Sequence, residues 1–159
     1  MDTQRPTASA IVSFAQRLEE GSRRFYEALA EAYPQGRETF LAFAKEAEKN
    51  SVLIGRAYHE TVSDAIETGF SFDGLNLKDY EIEEELGIGV TTDSGHAEAL
   101  KKALRLEELA YRFYSDVAER ALSLLATMQR TFRKVAEIRN ARMSKIQGML
   151  EDLELRSLS

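Results

Sequence analysis

Apolar residues recur at helical spacing along four long stretches of the chain. Ile11, Phe14, Ala15, Leu18, Ser22, Phe25, Tyr26 and Leu29 predict a first helix from about Ser9 to a stop at Pro34-Gln35-Gly36. Phe40, Phe43, Ala44, Ala47, Ile54, Ala57, Tyr58 and Val62 predict a second from about Arg37 to Gly69, with Gly69 as its C-terminal cap. So short a break makes these two helices antiparallel neighbours. A third helix begins near Ser94 or Gly95 and carries Ala99, Leu100, Ala103, Leu106, Ala110, Phe113 and Val117. A fourth carries Leu125, Met128, Phe132, Val135, Ala136, Met143, Ile146, Met149 and Leu153. Residues Glu119 to Thr131 hold no Gly, Pro, Asn or Asp, so the turn between the last two is unmarked. Ser123 is the candidate cap there, and the alternative is one continuous helix whose hairpin partner comes from a second chain.

Between about residues 70 and 94 the periodicity gives way to Gly74, Asn76, Gly87, Gly89 and Thr91-Thr92. One amphipathic piece, Leu77 to Leu86 with Asn76 as its cap, interrupts this crossover. The apolar residues Phe70, Phe72, Leu75 and Leu77 form a stripe that packs either on the helices or on a second subunit, a homodimer. The expected architecture is all-α, a single domain over residues 1–159: two helical hairpins joined by one long crossover containing a short helix.

The two hairpins are related by an internal repeat. Leu18-Glu19-Glu20-Gly21-Ser22-Arg23-Arg24-Phe25-Tyr26 returns as Leu106-Glu107-Glu108-Leu109-Ala110-Tyr111-Arg112-Phe113-Tyr114, an offset of 106 − 18 = 88 residues. Within each copy one glutamate falls on the apolar stripe. Glu19 has Ala15, Ser22 and Tyr26 as helical neighbours, and Glu107 has Ala103, Ala110 and Tyr114. Both carboxylates are therefore expected to point inward, the alternative being that they lie half-exposed at the ends of the helices.

Glu19-x-x-Ser22-x-x-Phe25-Tyr26 and Glu107-x-x-Ala110-x-x-Phe113-Tyr114 resemble the first-helix motif of the rubrerythrin branch of the ferritin-like superfamily. The resemblance spans roughly Ile11 to Leu153 and implies a ferritin-like four-helix bundle. In that family the second helix of each hairpin carries Phe-x-x-Leu-Ala-x-x-Glu-x-x-His. A carboxylate-bridged di-iron centre takes one Glu from each of two helices and a Glu-x-x-His pair from each of the other two. Here Phe40 to Asn50 follows the second motif in outline but places Ala47 and Asn50 at the ligand positions, and Phe132 to Arg142 places Arg139 and Arg142 there. Glu46, Glu48 and Glu137 lie beside the apolar stripe, and none has a His three residues later. Two of the six ligands remain, Glu19 and Glu107.

Unpaired inward carboxylates cost several kcal/mol each. Arg139 and Arg142 are therefore expected to reach across to Glu19 and Glu107 through bidentate bonds where metal ions sit in the relatives. The former-site cluster is Glu19, Asn50, Glu107, Arg139, Arg142, Tyr26 and Tyr114. Tyr26 and Tyr114 read as core aromatics whose hydroxyls find partners, and Asn50 as an internal hydrogen-bonding residue. His59, beside Glu60, is placed on a solvated face, His96 in the first turn of the third helix, and the acidic run Glu81-Ile82-Glu83-Glu84-Glu85 on an ordinary helix surface.

Composition narrows the function. Cysteine is absent, which removes disulfides, thiolate metal sites, cysteine nucleophiles and the rubredoxin-type electron-transfer domain that many relatives append. A formal net charge of −6 argues against a phosphate-binding face for nucleic acid. No run approaches the ~18 apolar residues of a membrane span, and the opening Met1-Asp2-Thr3-Gln4-Arg5-Pro6 lacks a signal-peptide apolar block, so a cytoplasmic location is expected. No nucleophile–base pair or phosphate loop marks an enzyme of another class. The reading is a ferritin-like bundle that has lost its di-iron centre and serves as a binding or assembly module, with no cofactor. The alternative implied by the family is an iron-dependent oxidoreductase, oxidising iron or reducing peroxide, with Glu19 and Glu107 in a reduced or rebuilt site.

Overall fold

The computed structural model describes residues 5–81, 95–121 and 125–158, and among these the chain is all helical. Its helices are α1 (Ala8–Ala32), α2 (Arg37–Thr61), the short α3 (Asp64–Gly69), α4 (His96–Arg120) and α5 (Ala126–Leu158), with single 3-10 turns at Pro34–Gly36 and Leu77–Tyr80. α1 packs along α2, α4 along α5, and α2 against α5, while α1 and α4 make few direct contacts. The faces predicted to be apolar enclose one core, in which Ile11, Tyr26, Leu29, Phe40, Ile54, Phe113, Tyr114 and Phe132 are fully buried. Each such aliphatic or aromatic side chain contributes about 1.5–3 kcal/mol. No helix among the described residues is long and apolar enough to cross a membrane.

Local chemistry explains the boundaries. Thr7 caps α1, its hydroxyl accepting from the Ala10 N–H at 3.2 Å. The chain then turns at Pro34–Gly36, where a Cβ on Gly36 would stand 2.6 Å from the Phe40 ring and 3.0 Å from the Met149 methyl, so the hairpin closes only over glycine. α4 starts after Gly95, whose φ of 78° is left-handed.

One boundary changes, and two alternatives are resolved. α2 ends at Thr61 rather than running to Gly69: Val62 is extended, and the Ser63 hydroxyl accepts the Ile66 N–H to start α3. Val62 and Ile66 pack against the core on either side of the break, and no Gly or Pro marks the gap. The crossover stripe is spent inside the chain, with Phe72 and Leu75 buried and Phe70 and Leu77 packed against the core, so it carries no argument for a second copy. α4 and α5 are two helices folded on each other within one chain, which removes the continuous-helix alternative. Asn76 does cap the short crossover turn, accepting from Lys78 N–H, but as a 3-10 turn ending at Tyr80. The rest of the predicted Leu77–Leu86 helix, most of the Glu81–Glu85 run, Ser94 and Ser123 lie outside the described residues.

Candidate functional site

The internal repeat generates the site. In each copy the glutamate and the tyrosine are seven residues apart, two turns or about 10.5 Å along one helix face. The Tyr26 hydroxyl donates to Glu107 Oε2, and the Tyr114 hydroxyl donates to Glu19 Oε2 at 2.5 Å. Since 26 + 107 = 19 + 114, the two pairs set α1 and α4 antiparallel, each glutamate facing the tyrosine of the other copy. Glu19 and Glu107 are 1% and 0% exposed, which rules out the half-exposed alternative.

Arg139 of α5 enters between them with its side chain wholly buried. Its Nη1 donates to both Glu107 oxygens, at 2.9 and 2.8 Å, and its Nη2 donates to Glu19 Oε2 at 2.5 Å and to Ser22 Oγ at 2.9 Å. Ser22 Oγ passes its own proton to the Leu18 carbonyl at 2.8 Å, so it is free to accept. Asn50 Nδ2 completes the shell of Glu19 at 3.1 Å. One guanidinium thus serves both carboxylates, a role that a planar fork of donors fills and an ammonium does not.

Arg142 departs from the expected pairing. It is equally buried, but its Nη1 reaches Glu107 Oε2 only at 3.4 Å, and its closest partner is Glu46 Oε1 of α2, at 2.6 Å from Nη2. The Glu46 side chain is 40% exposed, so this bond leads from the buried cluster to the surface. The Arg142 guanidinium lies over the rings of Phe43 and Tyr26, at 5.1 and 5.5 Å from their centroids. Glu46 and the Ser22 hydroxyl are the participants that sequence reasoning missed. The available signals were the polar residue at a small-residue position beside an inward arginine, and a carboxylate one residue from the ligand position at Ala47.

The charges balance: two guanidinium groups face two fully buried carboxylates. Burial alone would lower the pKa of Arg139, but Glu107 and Glu19 outweigh it and hold that pKa well above the ordinary value. Burial, and then Glu107, raise the Tyr26 pKa well above 10, and burial followed by Glu19 does the same for Tyr114. Tyr80 is raised too, by burial and by its bond to Asp116. A folded pKa above the unfolded value gives stability that is complete below pH 10 and is lost as pH rises beyond it. Of the six tyrosines, Tyr26 and Tyr114 are therefore expected to stay protonated in an alkaline absorbance titration until the chain unfolds, and ionisation of all six near pH 10 in the folded protein would contradict the geometry.

The donor set does not suit a metal. The positions to which the resemblance would assign the remaining ligands hold Ala47, Asn50, Arg139 and Arg142, and guanidinium hydrogens occupy carboxylate oxygens that a dication would need. Among the described residues no group of three or more His, Asp or Glu is gathered to hold an ion. The histidines are engaged elsewhere: His96 is stacked on Tyr33 at 4.6 Å, and the exposed His59 lies against Tyr58. Comparison of the chain with protein-family models, with curated proteins and with solved structures gives no significant match.

Proposed function

We propose that the chain is a ferritin-like four-helix bundle in which a buried guanidinium–carboxylate cluster stands in place of a di-iron centre, and that it works as a binding or assembly module rather than as a redox enzyme. The observation that carries this reading is Arg139, forked between Glu19 and Glu107 with no exposed surface. Two helical hairpins, a long crossover and inward glutamates on a repeated Glu-x-x-small-x-x-Phe-Tyr motif support the ferritin-like part. The replacement of Glu and His by Ala47, Asn50, Arg139 and Arg142 supports the loss of iron, because a cation cannot enter among cations without displacing them. What remains is an internally neutral cluster in a chain whose formal net charge is −6.

The test is metal content by mass spectrometry after purification with added ferrous iron. The expected result is substoichiometric iron that a desalting step removes. Two irons per chain surviving that step would favour the rubrerythrin-type oxidoreductase instead.

A further inference from the structure

The crossover holds a second set of polar contacts, remote from the charged cluster. Glu67 of α3 accepts from Ser9 N–H at 3.2 and 3.4 Å, from Ser9 Oγ at 2.6 Å and from Tyr58 Oη at 3.0 Å. Ser9 lies in the first turn of α1, where backbone N–H groups lack helical partners and the helix dipole favours an anion. Glu67 therefore finishes, from 58 residues away, the cap that Thr7 begins. Burial raises its pKa, but the bonds from Ser9, Tyr58 and Thr7 together outweigh that, so the carboxylate is charged at neutral pH. Close by, Phe72 N–H donates to the Pro6 carbonyl at 2.9 Å.

Further on, the Tyr80 hydroxyl donates to Asp116 Oδ2 of α4 at 2.5 Å, and the Tyr80 ring packs edge-on to Phe113 at 5.4 Å. Between these two attachments Phe72 and Leu75 are inserted into the core, 0% and 1% exposed. α1 and α4 make few direct contacts, although the Phe14 and Phe113 rings meet at 4.8 Å between them. The segment has only one short helix and one 3-10 turn, too little to be ordered by its own backbone bonds. Its order comes from these two attachments, the Phe72–Pro6 backbone bond and the two inserted side chains.

We propose that residues 63–81 form a strap with two releasable latches, Glu67 on α1 and Tyr80 on α4, and that it opens as a unit to uncover the apolar seam between those helices while the Glu–Arg cluster stays closed. The latches join the strap to α1, α2 and α4 and the cluster joins α1, α2, α4 and α5, but they share no residue. Locally separable units of this kind open with smaller free energies than the whole chain. Opening lifts the Tyr80 ring off Phe113, whose ring also meets Phe14 of α1.

Hydrogen exchange read by mass spectrometry at neutral pH tests this on the full chain and on Glu67→Gln and Tyr80→Phe. Peptides covering residues 63–81 are expected to exchange roughly tenfold faster in either variant and faster still in the double variant, with peptides over 103–117 and 132–146 at wild-type rates. Binding of an apolar dye should rise in parallel. Equal acceleration across all peptides, wild-type rates in the strap, or faster strap exchange with no gain in dye binding would each overturn the proposal. Tyr58→Phe, which removes one donor only, gives the same readout in a gentler form should Glu67→Gln fail to fold.

Discussion

Arg139→Ala is expected to cost about 3–5 kcal/mol in denaturant unfolding, because removing one partner of a buried ion pair leaves the other charge stranded. Here two charges are stranded at once. Glu107 loses both of its Nη1 bonds and Glu19 loses its bond from Nη2, and only the Tyr26 and Tyr114 hydroxyls, Asn50 and the distant Arg142 remain. The same substitution at Arg133, an exposed residue on the same helix, should stay within about 0.5 kcal/mol. Arg142→Ala should fall between them, since its closest partner, Glu46, is partly solvated and recovers water when released. Equal losses at Arg139 and Arg133 would mean that the cluster contributes nothing to stability.

The second large effect is a gain. The quadruple variant Ala47→Glu, Asn50→His, Arg139→Glu and Arg142→His restores a carboxylate and an imidazole to each of the two helices that lack them, and should bind two irons per chain, measurable by mass spectrometry and by absorbance. Without metal the variant would crowd four carboxylates into a site that now holds two, so its folding should become dependent on iron. A folded quadruple variant that takes up no iron would show that the alignment of α2 and α5 with the ligand positions is off by some residues. The wild-type chain, treated identically, is the control.

The inward glutamates and the cationic residues opposite them could be read from the sequence because both questions are about which side of a helix a residue occupies. Periodicity answers that for Glu19 and Glu107, and the motif of the resembled family places Arg139 and Arg142 at the facing positions. The division of bonds was not legible. Whether Arg142 reaches Glu107 or turns to Glu46 depends on inter-helix distance and rotamer, and neither leaves a trace in spacing. The cross-pairing of Tyr26 with Glu107 needed the antiparallel setting of α1 and α4, which the repeat alone does not supply. The end of α2 at Thr61 was hidden for another reason. The break is made by a serine hydroxyl competing for a backbone N–H, a weak signal beside the missing Gly or Pro. Which of its two possible partners the crossover stripe packs on was not legible, because its apolar residues lack a helical period, yet Phe72 and Leu75 are as deep as any residue on the long helices.

The claim beneath all of this is that the interior carboxylates are tolerated because guanidinium groups neutralise them. Its most direct measurement compares the unfolding free energy of Arg139→Met with that of the triple variant Arg139→Met, Glu19→Gln and Glu107→Gln, in which Arg142 keeps Glu46 and each glutamine still offers a carbonyl oxygen to a tyrosine hydroxyl. Charge compensation predicts that the triple variant regains most of what the single one loses, a coupling of neighbouring sites well above the ~0.5 kcal/mol of independent ones. If the losses simply add, and the triple variant is the less stable of the two, neutralisation is not what holds this interior together.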